Sequence, residues 1–339
     1  MLDFYEILYS KKGRDPNTYH EVYPNFKTNR VNDLMVRGGG FYAIWNPDTG
    51  LWSKDDYDVP TIVDKELRAY ADDLVVEKGL PVRIRTLQSF SSGSWTQFRQ
   101  VCKHLADNYQ PLDSVIMFSN SEVKKGDYVT GRLEYPLEEG STKSFDTLFE
   151  VLYDEENLNK LLWAIGSVIH GDSKTIQKFY VLFGAPGTGK STSLNLIEEL
   201  LGPYVQNFES GELGNPNNRF SLSRFLNNPL VGIDHEGDLS KIGKNSTIAS
   251  VVSHDKVVLE VKYQQAFGLR LNTTLFIATN KPVMITERNS GLIRRLIDIR
   301  PTGNVVSIRD YDSLVNQTRF ELGAIAYKCL QVYKTLGKE

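Results

Sequence analysis

Apolar residues recur with distinct periods along this chain, and each period predicts an element. Between Thr61 and Val76 they fall at Ile62, Val63, Leu67, Ala71 and Leu74, the spacing of one helix face. Trp95 to Asn108 and Asn157 to His170 read as two further helices, the first preceded by a polar Ser/Gly break from Ser89 to Ser94. Phe41 to Trp45 and Leu51 to Trp52 flank Asn46 to Gly50, whose Pro, Asp and Gly chemistry predicts a β-hairpin turn. Asp113 to Arg132 reads as short strands around a turn at Lys124 to Asp127.

After residue 175 the pattern changes. Lys178 to Phe183 is a nearly all-apolar run, as a strand buried on both faces of a parallel sheet requires. Leu194, Leu196, Ile197, Leu200 and Leu201 then mark a helix that stops at Gly202 and Pro203. Pro229 to Ile233 and Asn272 to Asn280 are two more apolar strands, each running into polar residues. Between them, alternation from Ile248 to Tyr263 around His254, Asp255 and Lys256 predicts a hairpin with Asp255-Lys256 at its tip. Tyr311 to Leu336 has helical spacing. A Pro/Gly/Glu-rich connector from Glu134 to Ser144 places a boundary near residue 140 and divides the chain into 1–140, 141–304 and 305–339.

Composition adds mainly exclusions. The 339 residues are 40% hydrophobic and 24% charged, enough for a buried core and unlike a disordered chain. Cys102 and Cys329 stand far apart with no CxxC, which argues against a disulfide framework or a structural zinc site. No apolar run is long enough for a bilayer span or a secretion signal, so a soluble, cytoplasmic protein without a membrane partner is expected. The net charge of −3 advertises no nucleic-acid partner. Locally the balance reverses: residues 255–300 carry eight basic and four acidic side chains, a surplus of four.

The candidate chemistry lies where the three strands end. Gly184, Ala185, Pro186, Gly187, Thr188, Gly189, Lys190 and Ser191 match GxxxxGK[ST] in full, with a strand before and a helix after. Such a loop turns backbone N–H groups inward around a polyphosphate, and the helix N-terminus adds its positive end. Lys190 would neutralise the outer phosphates of ATP, Ser191 would coordinate Mg²⁺, and Thr192 extends the nucleotide-binding set. Asp234 is the second expected Mg²⁺ ligand, with Glu236 to orient and activate the attacking water. Asn280, at the tip of the third strand, can hydrogen-bond a γ-phosphate or the lytic water.

In the order GAPGTGKS, LVGIDHE, LFIATNKP and SGLIRRLIDI, the chain resembles the superfamily 3 helicases of viruses, phages and plasmids, which belong to the AAA+ class. The similarity is greatest to the helicase part of phage and plasmid primase-helicases, and it extends upstream to the predicted hairpin at Phe41. The resemblance implies an α/β fold: a P-loop AAA+ core with a parallel central sheet over 141–304, a smaller α+β helicase-associated domain before it, and a short helical lid after it. It implies an ATP-dependent, ring-forming DNA helicase, a homo-hexamer moving 3′→5′ on single-stranded DNA and opening forked duplex in phage or mobile-element replication. Priming would fall to a separate primase or polymerase. The family's hairpin grips DNA in the ring channel, which nominates His254, Lys256, Lys262 and Tyr263 as DNA contacts. An arginine that reaches a neighbour's γ-phosphate is expected at Arg295, with Arg294 as alternate. Two other classes fit the same motifs: an AAA+ helicase-loader or remodelling ATPase acting on a protein partner, and an assembly module that binds ATP without turnover.

Overall fold

The computed structural model describes residues 2–27, 32–37, 41–53, 58–79, 81–87, 115–213, 215, 217–239, 245–260, 262, 266–283 and 291–338. The chain divides into two compact units, residues 1–111 with 123–130 and residues 112–122 with 131–339.

The first unit is built on strands β1 (Tyr5–Lys12) and β2 (Tyr19–Phe26), which pair antiparallel. Strands β3 (Leu34–Arg37), β4 (Phe41–Asn46) and β5 (Leu51–Trp52) form an antiparallel meander. The expected hairpin is the β4–β5 pair, closed by Gly50 N donating to the Asn46 carbonyl at 2.9 Å, with Gly50 at φ +68°. Helix α1 spans Asp58–Lys78, a few residues beyond the predicted ends, with the acidic Asp58 in its first turn and Lys78 in its last. It buries Val59, Val63, Leu67, Ala71 and Leu74 against Phe4, Val22 and Ile44, so the helical spacing in the sequence is the stripe that faces the core. Strand β6 (Val82–Ile84) adds to β2 in parallel. The segment Ser89 to Asn108 lies outside the described residues. From 115 to 132 the described backbone holds no strand. A single 3-10 turn at Lys125–Asp127 is fixed by the Asp127 carboxylate accepting Lys124 N at 2.7 Å. The strands expected in this stretch are therefore corrected to irregular backbone, because its hydrogen bonds are scattered among side chains, loops and a single bond from Trp52 N of β5 to the Val129 carbonyl, with no continuous ladder.

The second unit begins with helices α2 (Lys143–Leu152), α3 (Glu155–His170) and the single turn α4 (Ser173–Ile176). Asp154 caps α3 by accepting Asn157 N, and Gly171 ends the helix in the left-handed conformation. Strand β7 (Phe179–Phe183) leads into helix α5 (Lys190–Leu201). Strand β8 (Val205–Asn207), the short helix α6 (Ser210–Leu213) and strand β9 (Val231–Asp234) follow. Helix α7 (Asn245–Val252) precedes the antiparallel pair β10 (Lys256–Leu259) and β11 (Phe267–Arg270). Strands β12 (Thr274–Thr279) and β13 (Leu296–Ile299) complete the main sheet. Helices α8 (Ile308–Thr318) and α9 (Leu322–Leu336) cover the region read from the sequence as a helical lid.

Five strands form one parallel sheet in the order β13-β7-β12-β9-β8, which makes the chain an α/β protein. Alternate residues of β7 and β12 feed two separate cores. Tyr180, Leu182, Phe276 and Ala278 join α2, α3, α5 and α9 on one face. Phe179, Val181, Leu275 and Ile277 join α7 and the β10–β11 pair on the other. That is why both strands read as unbroken apolar runs. Complete burial of each such side chain contributes about 1.5–3 kcal/mol, so the central strands are the most firmly held part of the unit. Among the described residues no helix is long and apolar enough to cross a membrane.

The hairpin prediction at 248–263 needs correction. Ile248, Val251 and Val252 are buried on one face of α7, a helical i, i+3, i+4 set that reads as alternation when it runs straight into a strand. Chain reversal falls between Leu259 and Phe267, not at Asp255-Lys256.

Candidate active site at the carboxyl edge of the sheet

Strand register decides which sequence candidates meet. Thr279 of β12 lies level with Phe183 of β7, and Asp234 of β9 lies level with Ile277 of β12. The glycine loop after β7, Asn280 after β12, and Asp234 with Glu236 after β9 therefore stand on three neighbouring strands at one end of the sheet. In open parallel sheets ligands bind outside the carboxyl ends of the strands.

The loop 184–189 is tied down from inside. Gly184 N donates to the Thr279 carbonyl at 3.2 Å, and Thr188 Oγ1 donates to the Ala185 carbonyl at 2.9 Å. Gly187 and Gly189 sit at φ +77° and +96°, where an L side chain is strained. At Gly187 a Cβ would meet nothing within 4 Å, whereas at Gly189 it would press on Leu152 of α2. The loop is thus packed on its inner side and open on its outer one. Lys190 begins α5 with only 9% exposure, and its Nζ donates to the Gly184 and Ala185 carbonyls at 2.7 Å each. Burial holds this ammonium below its ordinary pKa. Ser191 is exposed beside it. A cleft of about 270 Å³ opens over Gly187, Gly189, Lys190, Ser191 and Thr192.

Asp234 is 7% exposed at the end of β9, and its carboxylate is committed on both oxygens. Oδ2 accepts Ser210 N at 2.7 Å and Oδ1 accepts Glu236 N at 3.1 Å. Gly237 N donates to the Ala278 carbonyl at 2.8 Å, and a Cβ on Gly237 would overlap Ile277. The turn carrying Glu236 is thereby pressed onto β12, while Glu236 itself is exposed. His235 Nε2 lies 3.1 Å from Glu198 Oε1 of α5, linking the two site-bearing elements. Asn280 is exposed at the tip of β12, and the adjacent Lys281 is paired with Asp238 at 2.5 Å. Among the described residues no group of three or more His, Cys, Asp or Glu side chains could hold a metal ion by itself.

Arg294 and Arg295 are not part of this assembly. They occupy a 3-10 turn just before β13, whose Leu296 is level with Phe179 at the start of β7. Lys178 Nζ donates to the Arg294 carbonyl at 2.5 Å. The five strand residues Phe179–Phe183, at ~3.3 Å each, separate that end from Gly184 by about 16 Å. The arginines stand at the opposite edge of their own sheet.

The expected DNA contacts divide. Lys256 and Val258 project from the solvent side of β10, with Arg270 across from Lys256 on β11. Lys262 is exposed, its Nζ 6.0 Å from the centre of the Phe220 ring. Tyr263 lies outside the described residues. His254 does not face solvent: it is 2% exposed, its Nδ1 lies 2.9 Å from the Leu271 carbonyl, and its backbone takes φ +55°. The expectation that it contacts DNA is corrected, since it secures the turn from α7 into β10. Desolvation lowers its pKa, against carbonyl hydrogen bonds from Leu271 and Ser173 that raise it.

Sequence reasoning missed the other wall of the cleft, formed by Leu152 at the end of α2, Val305 and Val306 before α8, and Tyr311 within it. Thr302 holds this wall, its N donating to the Leu152 carbonyl at 2.8 Å and its Oγ1 to the Val151 carbonyl at 2.9 Å. No local motif marks these residues. The one available signal was a pair of valines in a polar connector.

The fold and site together define an α/β chain with its candidate chemistry at the carboxyl edge of an all-parallel sheet. A family model described as a family of unknown function (DUF5906) matches residues 182–295, which spans the glycine loop through Arg295. No curated protein matches the chain. Among solved structures, the A form apo structure of the NrS-1 C-terminal region aligns with a TM-score of 0.44 and 12% identity, over 62% of this chain and 56% of that one. An apo structure of the same NrS-1 region aligns at 0.43 and 13%, over 61% and 55%. The chain spans little more than half the length of these structures.

Proposed function

We propose that this chain is a P-loop ATPase of the AAA+ class and works as a ring-forming superfamily 3 DNA helicase in phage or mobile-element replication. The observation that carries the reading is the meeting of the 184–189 loop, Asp234 with Glu236, and Asn280 on three adjacent strand ends.

The residues present fit a Mg²⁺-nucleotide. Two positive-φ glycines and an outer side free of atoms leave room for phosphate oxygens against backbone N–H groups. Lys190, bonded to two carbonyls of its own loop, exchanges those contacts for β- and γ-phosphate oxygens. Ser191 and Asp234 would hold Mg²⁺, which usually takes one or two protein oxygens and leaves the rest to phosphates and water. When bound, that ion supplies charge neutralisation at the phosphates. Asp234 also fixes the turn that presents Glu236, and Glu236 orients the water and accepts its proton. Asn280 donates to the γ-phosphate or to that water. Arg295, or Arg294 beside it, is too far from its own loop and would serve the site of a neighbouring copy in the proposed hexamer. The β10–β11 hairpin, with Lys256 and Lys262, tracks phosphates of single-stranded DNA.

The test is steady-state ATP turnover by the purified chain, with and without single-stranded DNA, beside strand displacement on a fork. Turnover stimulated by DNA and abolished in Lys190→Ala is the expected result. Turnover indifferent to DNA, with no strand displacement, would move the reading to a loader or remodelling ATPase. Absence of turnover with intact ATP binding would make it an assembly module.

A further inference from the structure

We propose that Glu198 and His235 are positioning residues that tie the helix carrying the glycine loop to the turn carrying Glu236, so that a nucleotide seated on α5 sets where the proposed base stands. The inference rests on the nucleotide reading above and concerns a contact that no motif encodes. Helix α5 opens at Lys190, at the foot of the loop, and Glu198 follows eight residues later, ~12 Å along the axis. Leu194, Ile197 and Leu200 of this helix share one core with Ile233 of β9, which fixes α5 over that strand. His235 lies two positions beyond Ile233 and so leaves the strand on the same side. Its Nε2 is 3.1 Å from Glu198 Oε1. A carboxylate oxygen only accepts, so the imidazole N–H is the donor.

The pair matters because nothing on the Glu236 side chain fixes that side chain. Its carboxylate is exposed, and among the described residues it accepts no hydrogen bond and joins no ion pair. Its place is set by the backbone of residues 234–237, which is held at three points. Glu236 N donates to Asp234 Oδ1, Gly237 N donates to the Ala278 carbonyl, and His235 reaches Glu198. The first two bonds lie within the sheet and its own turn. The third crosses to the helix whose first turn would meet the phosphates. A helix is a rigid element, so a displacement at its loop end passes through Glu198 to the residue beside Glu236. The two side chains are 33% and 31% exposed, and a pair so open to water adds little to folding. What it contributes is geometry, since misplacing a reacting group by ~1 Å can cost ~10²-fold in rate.

The experiment measures ATP turnover by the full chain with Mg²⁺, resolved into kcat and KM, beside binding of a fluorescent, non-hydrolysable ATP analogue. It compares the parent with His235→Ala, Glu198→Ala, the double variant, and Glu198→Gln, which keeps an oxygen to accept the imidazole N–H. Each alanine variant is expected to lower kcat by about 10- to 100-fold, with KM and analogue binding within about threefold of the parent. Melting midpoints are expected to match the parent, which separates lost geometry from lost fold. The double variant should lose no more than either single one, since the two side chains act as one contact. Glu198→Gln should recover kcat to within about threefold of the parent. In a chain already carrying Glu236→Gln, followed in single turnovers, His235→Ala should have no further effect, a result that a merely structural role would not give. An unchanged kcat in His235→Ala or Glu198→Ala would overturn the proposal. So would losses that multiply in the double variant, a Glu198→Gln chain as slow as Glu198→Ala, or a further loss on top of Glu236→Gln. A fall in analogue binding as large as the fall in kcat would assign the pair to binding and overturn it too. All these outcomes leave the nucleotide reading standing as long as the parent turns over ATP. A parent without turnover overturns the hydrolytic reading, and the bridge with it.

Discussion

At Lys190 one buried ammonium is satisfied by two carbonyls of the loop that it terminates, so the loop holds its shape before any ligand arrives. Asp234 and Glu236 divide their work differently. Asp234 is buried and committed to two amides, whereas Glu236 is exposed and makes its bond to Asp234 through its backbone. On the proposed function, Glu236→Gln would remove the base without removing a structural contact. Its melting curve is expected to stay within about 0.5 kcal/mol of the parent, while ATP turnover falls by roughly 10²–10⁴. His254 carries the pH prediction at this scale. Burial keeps its folded-state pKa below the ordinary value, so the unfolded chain takes up a proton near pH ~6.5 while the folded chain resists it. The stabilisation is complete above that pH and is lost as pH falls below it. His254→Asn tolerates the positive φ and does not titrate. Melts between about pH 7 and pH 5.5 should show a downward slope in the parent that is shallower in this variant.

Among the elements, the packing of α3 on α9 is tightest at Gly166. A Cβ there would overlap the Cys329 carbonyl and crowd Tyr333, so the two helices approach backbone to backbone. Gly166→Ala is expected to cost about 1–3 kcal/mol through forced separation, despite alanine's better helix propensity, and a denaturant titration measures it. The N-terminus of α2 gives a second instance of long-range dependence. Its Thr142 supplies no side-chain cap, and the Ser144 and Phe145 amides donate at 3.0 Å to the carboxylate of Glu321, which precedes α9. Lys328 and Asp146 pair at 2.5 Å between the same two helices. The helices read as a lid are thereby built into the core that carries the glycine loop.

For the whole molecule, the separation of Arg295 from the carboxyl edge of its own sheet is the controlling fact. A site that needs this arginine must take it from another copy. Lys190→Ala and Arg295→Ala are each expected to abolish turnover alone. Mixing the two proteins should restore a fraction of it, because some interfaces then join an intact loop to an intact arginine. No recovery on mixing, with both variants still assembling, would place the arginine outside the shared site. The charge distribution belongs to this scale as well. A net of −3 described the chain poorly, since residues 255–300 carry a local surplus of four positive charges.

What the sequence determined by itself was whatever depends on near neighbours. The apolar runs at Phe179–Phe183 and Thr274–Thr279 specify buried strands, and the glycine spacing from Gly184 to Gly189 specifies a loop that only such residues can close. Asp234 and Asn280 were legible because each directly follows an apolar run, Pro229–Ile233 for the one and Thr274–Thr279 for the other. Short-range pattern failed where two periods abut, which is why Ile248 to Val252 read as strand, Asp255-Lys256 as a hairpin tip and the buried His254 as a DNA contact. Tertiary structure alone decided which strand ends are adjacent, that β12 lies between β7 and β9, and that Arg295 stands at the end of the sheet opposite its own loop. It also decided that Glu321 caps a helix about 180 residues earlier in the chain, and that Leu152 and Val305 share one cleft. These contacts join residues far apart in the chain. They are set by how two apolar faces of one sheet are covered, and no local pattern of hydrophobic and polar positions encodes that.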